Sequence, residues 1–185
     1  DIGASQTEVL TDGGLETWTS NIDLTNWSQA VQGSSSINQE TGSEHGGSSA
    51  VRMDIDSSNS YAYFHQTQSL VAGKTYVCNF WLKGTVAGAS RAYVRVDLSS
   101  PYTNGVAEYF ATTTDWVRHT HIFTAIATGN HFFNFFRNSA ACESLYWDYI
   151  SVRQVGCVAE YLPTSIGATQ WLDTSGNGLH GAVTG

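Results

Sequence analysis

Residues 75–83 read Thr-Tyr-Val-Cys-Asn-Phe-Trp-Leu-Lys, and their alternation decides the class of fold. Side chains two residues apart lie on the same face of a β-strand. One face of such a strand is entirely apolar and consists of Tyr76, Cys78, Phe80 and Leu82. The opposite face consists of Val77, Asn79, Trp81 and Lys83. A strand with one apolar and one mixed face is typical of a sheet that covers a core on one side only.

The same period of two recurs along the chain, whereas helical periodicity is almost absent. Short runs rich in Val, Tyr, Phe, Trp and Thr alternate with clusters of Gly, Ser and Asn, which favour turns. Strands are predicted at 28–32, 50–56, 61–70, 75–83, 91–98, 107–112, 116–125, 131–137 and 145–154. Connections are predicted at 33–36, 42–49, 57–60, 84–90 and 99–105. The pattern predicts an all-β sandwich of two antiparallel sheets.

Composition and charge exclude several classes of partner. The chain has 185 residues, of which 13% are charged, and a formal net charge of −8. A nucleic-acid or anionic membrane surface would need clustered Lys and Arg, which are absent here. No apolar run approaches the roughly 20 residues that span a bilayer, so membrane insertion is not expected.

The three cysteines have no metal-binding spacing. Cys78 lies in the apolar strand face and is predicted to be a core thiol. The sequence does not decide whether Cys142 and Cys157 form a disulfide.

The outward faces of the central strands carry an unusual mixture of side chains. Sugars present apolar C–H faces ringed by hydroxyls, so a sugar site combines aromatic platforms with planar hydrogen-bonding groups. We therefore expect a glycan to bind across one sheet face, and the candidate ligand-binding residues are Tyr63, His65, Asn79, Trp81, Tyr93, Arg95 and Asn134. Alternatively, these aromatic side chains only fill cross-strand pairs on a partly covered sheet.

Five segments, taken in order, resemble carbohydrate-binding modules of families four, nine and twenty-two. Val9–Glu16 with Leu24–Trp27 is similar to their "NGGFE…W" opening, and Ala72–Gly84 is similar to "aGktYtlsFwvKg". The other three segments are Glu44–Met53, Thr114–Trp116 with Ile122–Ala125, and Tyr146–Val152. The resemblance covers about residues 7–155 and implies a jelly-roll β-sandwich of the galactose-binding type. It also implies glycan binding without catalysis.

The same resemblance implies a structural calcium ion. By position, Glu16 and Asp148 would give carboxylate oxygens, and carbonyls of Gly14 and the 42–46 loop would complete the shell. Calcium accepts six to eight oxygen ligands in irregular arrangements. Alternatively, both carboxylates bind backbone N–H groups. Tyr149 replaces the second Asp of the family's closing motif, which removes one carboxylate, and Leu15 replaces the usual Phe.

The composition changes after Gln154. Residues 1–155 are predicted to form the binding module, and 156–185 a linker with the start of a following domain. Tyr161–Pro163 and Trp171–Gly178 resemble segments near laminin-G-like or concanavalin-like domains of bacteriophage tail and fibre proteins. This resemblance implies a virion-associated or extracellular multidomain protein that adheres to a cell surface.

Catalysis is not expected. Glycosidases need two carboxyl groups that flank one bond, and only Asp54 and Asp56 form a local pair. No nucleophile elbow or HExxH spacing occurs. Two other functions stay open: a spacer domain of a tail fibre that binds no sugar, and a glycan-active hydrolase.

Overall fold

A computed structural model describes most of the chain. The described residues are 7–55, 61–86, 88–98, 105–138, 144–156, 159, 161–167, 169–174 and 179–183. They contain fifteen β-strands, and no candidate membrane-spanning helix is found among them. The chain divides into two compact units: the larger is Glu8–Gln154, and the smaller includes the described residues from Val155 onward.

Twelve strands belong to the larger unit. They are β1 (Trp18–Ser20), β2 (Asp23–Leu24), β3 (Ser28–Val31), β4 (Ser36–Glu40), β5 (Ala50–Asp54), β6 (Tyr61–Leu70), β7 (Thr75–Gly84), β8 (Gly88–Asp97), β9 (Val106–Thr112), β10 (Val117–Thr124), β11 (Gly129–Asn138) and β12 (Ser144–Val155). Sheet I has the order β10-β7-β12-β5-β4, and sheet II has the order β3-β6-β11-β8-β9. β1 and β2 form a separate two-stranded ribbon. The two five-stranded antiparallel sheets confirm the predicted sandwich.

The core of the larger unit is aromatic. The Trp147 ring lies 5.2 Å from Phe80 of sheet I and 5.4 Å from Phe135 of sheet II, and Phe64 lies 5.3 Å from Phe135. All four side chains are fully buried, so this cluster joins the inner faces of the two sheets. Burying one such ring contributes about 2–3 kcal/mol.

The inner face predicted for β7 is confirmed. Its four side chains are buried: Tyr76, Cys78, Phe80 and Leu82. Cys78 carries a free thiol. Because burial disfavours the thiolate, the pKa of Cys78 is raised far above its ordinary range. Cys142 and Cys157 lie outside the described residues.

The nine predicted strands are present, with ends that differ by a few residues. Three strands of the larger unit, β1, β2 and β4, were not predicted, nor were the three strands of the smaller unit. In β4 only Ile37 is buried, and its neighbours are Ser, Asn, Gln and Glu. An edge strand of this kind offers little alternation to detect, because a single side chain reaches the core.

An irregularity in β12 changes which of its side chains face outward. Tyr149 adopts a positive φ of 47°, and both Trp147 and Ile150 are buried. The alternation therefore shifts by one residue at this point, as it does at a β-bulge. Beyond the shift, Tyr149 and Arg153 are exposed and Ser151 is half-buried.

The smaller unit contains a three-stranded sheet of β13 (Tyr161–Ile166), β14 (Gln170–Asp173) and β15 (Gly181–Ala182). Trp171 Nε1 donates to the Leu162 carbonyl at 2.7 Å, and the Asp173 carboxylate accepts from the Leu179 N–H at 3.0 Å. That these residues open a following domain stays a prediction.

Candidate functional site

The outward face of sheet II carries two adjacent rows of side chains that run across the strands. In the first row Tyr63 of β6 pairs with Phe136 of β11, which pairs with Tyr93 of β8, which pairs with Tyr109 of β9. In the second row His65 pairs with Asn134, which pairs with Arg95. The rows are two residues apart along each strand, or about 7 Å.

The rings of the aromatic row pack against one another. Tyr93 and Phe136 are parallel, with centroids 4.5 Å apart and an interplanar angle of 5°. Tyr63 lies 4.6 Å from Phe136, and Tyr109 lies 5.1 Å from Tyr93. Phe136 is 1% exposed and Tyr93 8%, whereas Tyr109 is 66% exposed and Tyr63 is half-buried. The middle of the row is therefore a packed support, and Tyr63 and Tyr109 at its ends remain accessible.

The polar row is held in place by a buried carboxylate. Asp97 Oδ1 forms an ion pair with Arg95 Nε at 2.7 Å, and Asp97 Oδ2 accepts a hydrogen bond from Asn134 Nδ2 at 2.9 Å. Asp97 and Asn134 are both fully buried, so the Arg95–Asp97 contact is poorly screened by solvent. These contacts fix the direction of the Asn134 amide and of the Arg95 guanidinium.

Two acceptors in the polar row have no partner in the part of the chain that the structure describes. Asn134 Oδ1 and His65 Nδ1 are buried without a hydrogen bond, and their residues are direct cross-strand partners. Burial lowers the pKa of His65 below its ordinary value, which favours the neutral imidazole at pH 7. A buried polar atom without a partner costs about 1–3 kcal/mol, so this pair is suited to receive a donor from a small buried group such as a water.

Two of the predicted residues do not belong to this face. Asn79 and Trp81 lie on β7, which is in sheet I, so the expectation that all seven residues share one sheet face is wrong for them. One side of the Trp81 ring is also covered, because His45 stacks on it with centroids 3.7 Å apart. The other five, Tyr63, His65, Tyr93, Arg95 and Asn134, come together on sheet II. Tyr109 and Phe136 were missed, although Phe136 has the same alternation as Asn134.

The predicted metal ligands lie around the loop of residues 42–49. The Glu16 carboxylate accepts from Ser48 N at 3.0 Å and from Ser48 Oγ at 2.6 Å. The Asp148 carboxylate accepts from the backbone N–H groups of His45 at 2.8 Å and Gly46 at 3.2 Å. Both carboxylates thus bind backbone N–H groups, and they hold the loop from two distant positions in the chain, one before β1 and one in β12.

The charge state of Asp148 reflects this environment. The pKa of Asp148 is raised to about 6, because burial and, to a smaller extent, the negative charge of Glu16 outweigh the opposing effect of the backbone N–H groups. Glu44 of the same loop has a buried Oε2 without a described partner. Among the described residues no group of three or more His, Cys, Asp and Glu side chains is positioned to hold a metal ion. A cation here would therefore need backbone carbonyls, such as that of Gly14, in addition to the two carboxylates.

Comparison by sequence finds neither a matching family model nor a matching curated protein. Comparison by structure finds many solved structures with a similar fold. A family 16 carbohydrate-binding module superposes with a TM-score of 0.59 at 19% identity, covering 78% of this chain and 98% of the module. A family 61 module, solved in complex with β-1,4-galactotriose, gives 0.58 at 18% identity, with 80% and 99% covered.

Modules of families 22 and 4 have the same fold. The active domain of tailspike protein 4 from bacteriophage CBA120 gives a TM-score of 0.62 at 10% identity, but this chain covers only 21% of it. A cyclase from Fischerella also matches. These likenesses show a jelly-roll β-sandwich of the carbohydrate-binding-module type, which confirms the predicted fold.

Proposed function

We propose that the larger unit binds a glycan without cleaving it, on the outward face of sheet II. The observation that carries this proposal is the pair of rows: accessible aromatic rings at Tyr63 and Tyr109 beside the polar set of His65, Asn134 and Arg95. The carbohydrate-binding modules among the solved structures support it through the shared fold.

The chemistry of the two rows matches that of a sugar ring. Sugar hydroxyls donate and accept hydrogen bonds, so a sugar hydroxyl can hold a water whose two O–H groups donate to Asn134 Oδ1 and neutral His65 Nδ1. The Arg95 guanidinium donates to a ring or hydroxyl oxygen. The apolar C–H face of the same or the next sugar packs on Tyr63 or Tyr109.

The arrangement of carboxylates supports binding rather than hydrolysis. Asp97 is the only carboxylate among the described residues of this face, and it is already bound to Arg95 and Asn134. Glycosidase chemistry needs two carboxyl groups about 5–10 Å apart on either side of the bond. The described strands of this face therefore offer no second carboxyl group that could act together with Asp97.

A glycan array tests the proposal directly. Wild-type protein binds a subset of glycans, and Tyr63→Ala weakens that binding about 5–30-fold, which corresponds to a loss of about 1–2 kcal/mol. Ile122→Ala, which removes an exposed side chain of β10 on the other sheet, is the control and leaves those glycans bound. The proposal fails if wild type binds no glycan, or if Tyr63→Ala binds as well as wild type.

We further infer that the unit works within a longer extracellular or virion-associated protein that adheres to a glycan-coated surface. Weak single-site binding becomes useful when several copies or a linked domain act together. The low charge content and the likeness to a phage tailspike support this setting. A spacer domain without a ligand is the rival, and the wild-type array separates the two.

Calcium at Glu16 and Asp148 is a separate proposal. The carboxylates of Glu16 and Asp148 repel each other next to the unpartnered Glu44 Oε2, and this arrangement fits a hard cation that accepts oxygen ligands. Bound there, calcium would tie the 42–49 loop to β12. Calorimetry should detect calcium binding, EDTA should lower the Tm, and Glu16→Gln should abolish both effects. Asp115→Asn, which removes an exposed carboxylate elsewhere, should change neither.

A further inference from the structure

A second groove crosses the outward face of sheet I. Its lining residues come from three adjacent strands: Asn79 and Trp81 of β7, Arg118 of β10, and Tyr149, Ser151 and Arg153 of β12. The groove has a volume of about 460 Å³, which exceeds that of one sugar ring. It lies on the opposite sheet from the rows formed by Tyr63 and His65.

The charge of this groove is unusual for the chain. Acidic residues outnumber basic ones 16 to 8 overall, yet two arginines converge here. Arg153 Nε pairs with Glu8 Oε2 at 3.3 Å, and Ser151 Oγ donates to the same oxygen at 2.5 Å. Arg118 is exposed and forms no ion pair with any described residue. The groove therefore keeps one uncompensated positive charge, at Arg118.

The neutral groups of the groove are also ready to bind. Trp81 is the cross-strand partner of Arg118, and Asn79 is the partner of Thr120 on the same two strands. Thr120 Oγ1 donates to Asn79 Oδ1 at 2.8 Å, so the amide oxygen is satisfied. Asn79 Nδ2 has no partner among the described residues. Its N–H groups and the Arg118 guanidinium are then available donors beside the Trp81 ring.

The neighbouring loop and the bulge in β12 shape the groove. His45 stacks on Trp81 at 3.7 Å and meets Tyr149 edge-on at 5.9 Å, which restricts the motion of both rings. Tyr149 is 47% exposed because the positive φ at this residue turns it outward. Two aromatic rings in fixed positions next to an arginine provide an apolar contact surface beside a charged one.

We propose that this groove is a second binding site, specific for sugars that carry a carboxylate, such as hexuronates or sialates. The guanidinium of Arg118 binds the carboxylate with two parallel hydrogen bonds, and Asn79 Nδ2 donates to a neighbouring hydroxyl. The sugar ring packs against Trp81 and Tyr149. One free positive charge in a chain of net charge −8 suits a single carboxylate and disfavours a polyanion such as nucleic acid.

The test is an NMR titration of the 185-residue chain with pairs of probes. Each pair is an oligosaccharide that contains glucuronate, galacturonate or sialate, and the same oligosaccharide with its carboxyl group reduced. At least one acidic probe should shift the indole N–H of Trp81 and the Nε–H of Arg118, whereas its reduced counterpart should not. Arg118→Gln should weaken that probe at least tenfold.

Two control variants distinguish this site from the proposed function. Arg52→Gln removes the same charge from sheet I outside the groove and should leave the acidic probe bound. Tyr63→Ala affects only sheet II and should also leave it bound, even if it abolishes all neutral-glycan binding. The inference is overturned if reduced and acidic probes shift Trp81 equally, or if no acidic probe shifts it at tens of millimolar.

Discussion

Some outward side chains of sheet II are accessible to a ligand and others are buried supports, and the sequence pattern cannot distinguish these two roles. The alternation of β6, β8 and β11 assigns Tyr63, Tyr93 and Asn134 to the outward face, and all three are on it. Their exposure differs widely: Tyr63 is half-buried, Tyr93 is buried because it stacks on Phe136, and Asn134 is fully buried. Alternation gives the direction of a side chain, whereas its accessibility depends on rings contributed by other strands.

His65 should make glycan binding pH-dependent. Because burial lowers its pKa, His65 is neutral at pH 7 and offers Nδ1 as an acceptor. As the pH falls through the folded-state pKa, below the ordinary value of about 6.5, the imidazole gains a proton and loses this acceptor. Affinity should therefore be constant at neutral pH and fall in acid. His65→Gln, which keeps an acceptor and does not titrate, should show a flat profile in the same calorimetric series.

Replacing a core aromatic residue by alanine should lower stability, whereas replacing an exposed one on sheet II should weaken glycan binding. Phe135 is fully buried among Trp147, Phe64 and Phe80, so Phe135→Ala should lower the free energy of unfolding by about 3–5 kcal/mol. Tyr109→Ala removes an exposed ring and should change stability by less than about 0.5 kcal/mol while weakening glycan binding. Urea denaturation and glycan titration of both variants measure the two effects. A large loss of stability in Tyr109→Ala would argue that the ring is structural.

Among the strands, the sequence pattern did not predict which of the two sheets each strand belongs to. β7 and β8 follow one another in the chain, and each has one apolar and one mixed face, yet they belong to different sheets. A sandwich has two outward faces, and local alternation does not say which one a strand contributes to. Asn79 and Trp81 were therefore grouped with Tyr93 and Arg95, although the sandwich core lies between them.

The carboxylates of Glu16 and Asp148 bind backbone N–H groups of the 42–49 loop, and a substitution at Gly47 tests the contact with Glu16. Gly47 has a φ of 69°, and a Cβ there would lie 1.7 Å from Glu16 Oε1. Gly47→Ala should therefore displace the Glu16 carboxylate from Ser48 and weaken both calcium binding and thermal stability. Gly73→Ala is a closely matched control, because its φ is 76° but nothing lies within 4 Å of the added Cβ.

Both variants carry the strain of a positive φ, about 1–2 kcal/mol. The difference between their Tm values, measured with and without calcium, isolates the contact with Glu16. Equal Tm values and equal calcium affinities would mean that the Glu16–loop contact contributes nothing to either.

At the scale of the whole molecule, the fold was predictable to a large extent. The strands with strong alternation were all found, because burial on one face of a sheet imposes a period of two on the sequence. The short edge strand β4 was missed because only Ile37 reaches the core. The bulge at Tyr149 was also missed, since a positive φ in a tyrosine has no sequence signal.

The larger unit should fold on its own. Residues 8–154 contain the aromatic core and both five-stranded sheets apart from the end of β12. A polypeptide of residues 8–154 should unfold cooperatively in urea and bind the same glycans as the 185-residue chain. A polypeptide that is soluble but shows no cooperative transition would mean that residues after Gln154 complete the fold.

NMR mapping of a bound neutral glycan shows whether glycans bind across the two rows of sheet II. The best neutral ligand from the array is titrated into uniformly ¹⁵N-labelled protein. Binding on sheet II should shift the Asn134 side-chain amide, the His65 imidazole and the Arg95 Nε–H and leave the Trp81 indole unchanged. Shifts confined to Trp81 and its neighbours on sheet I, with none at Asn134 or His65, would contradict it.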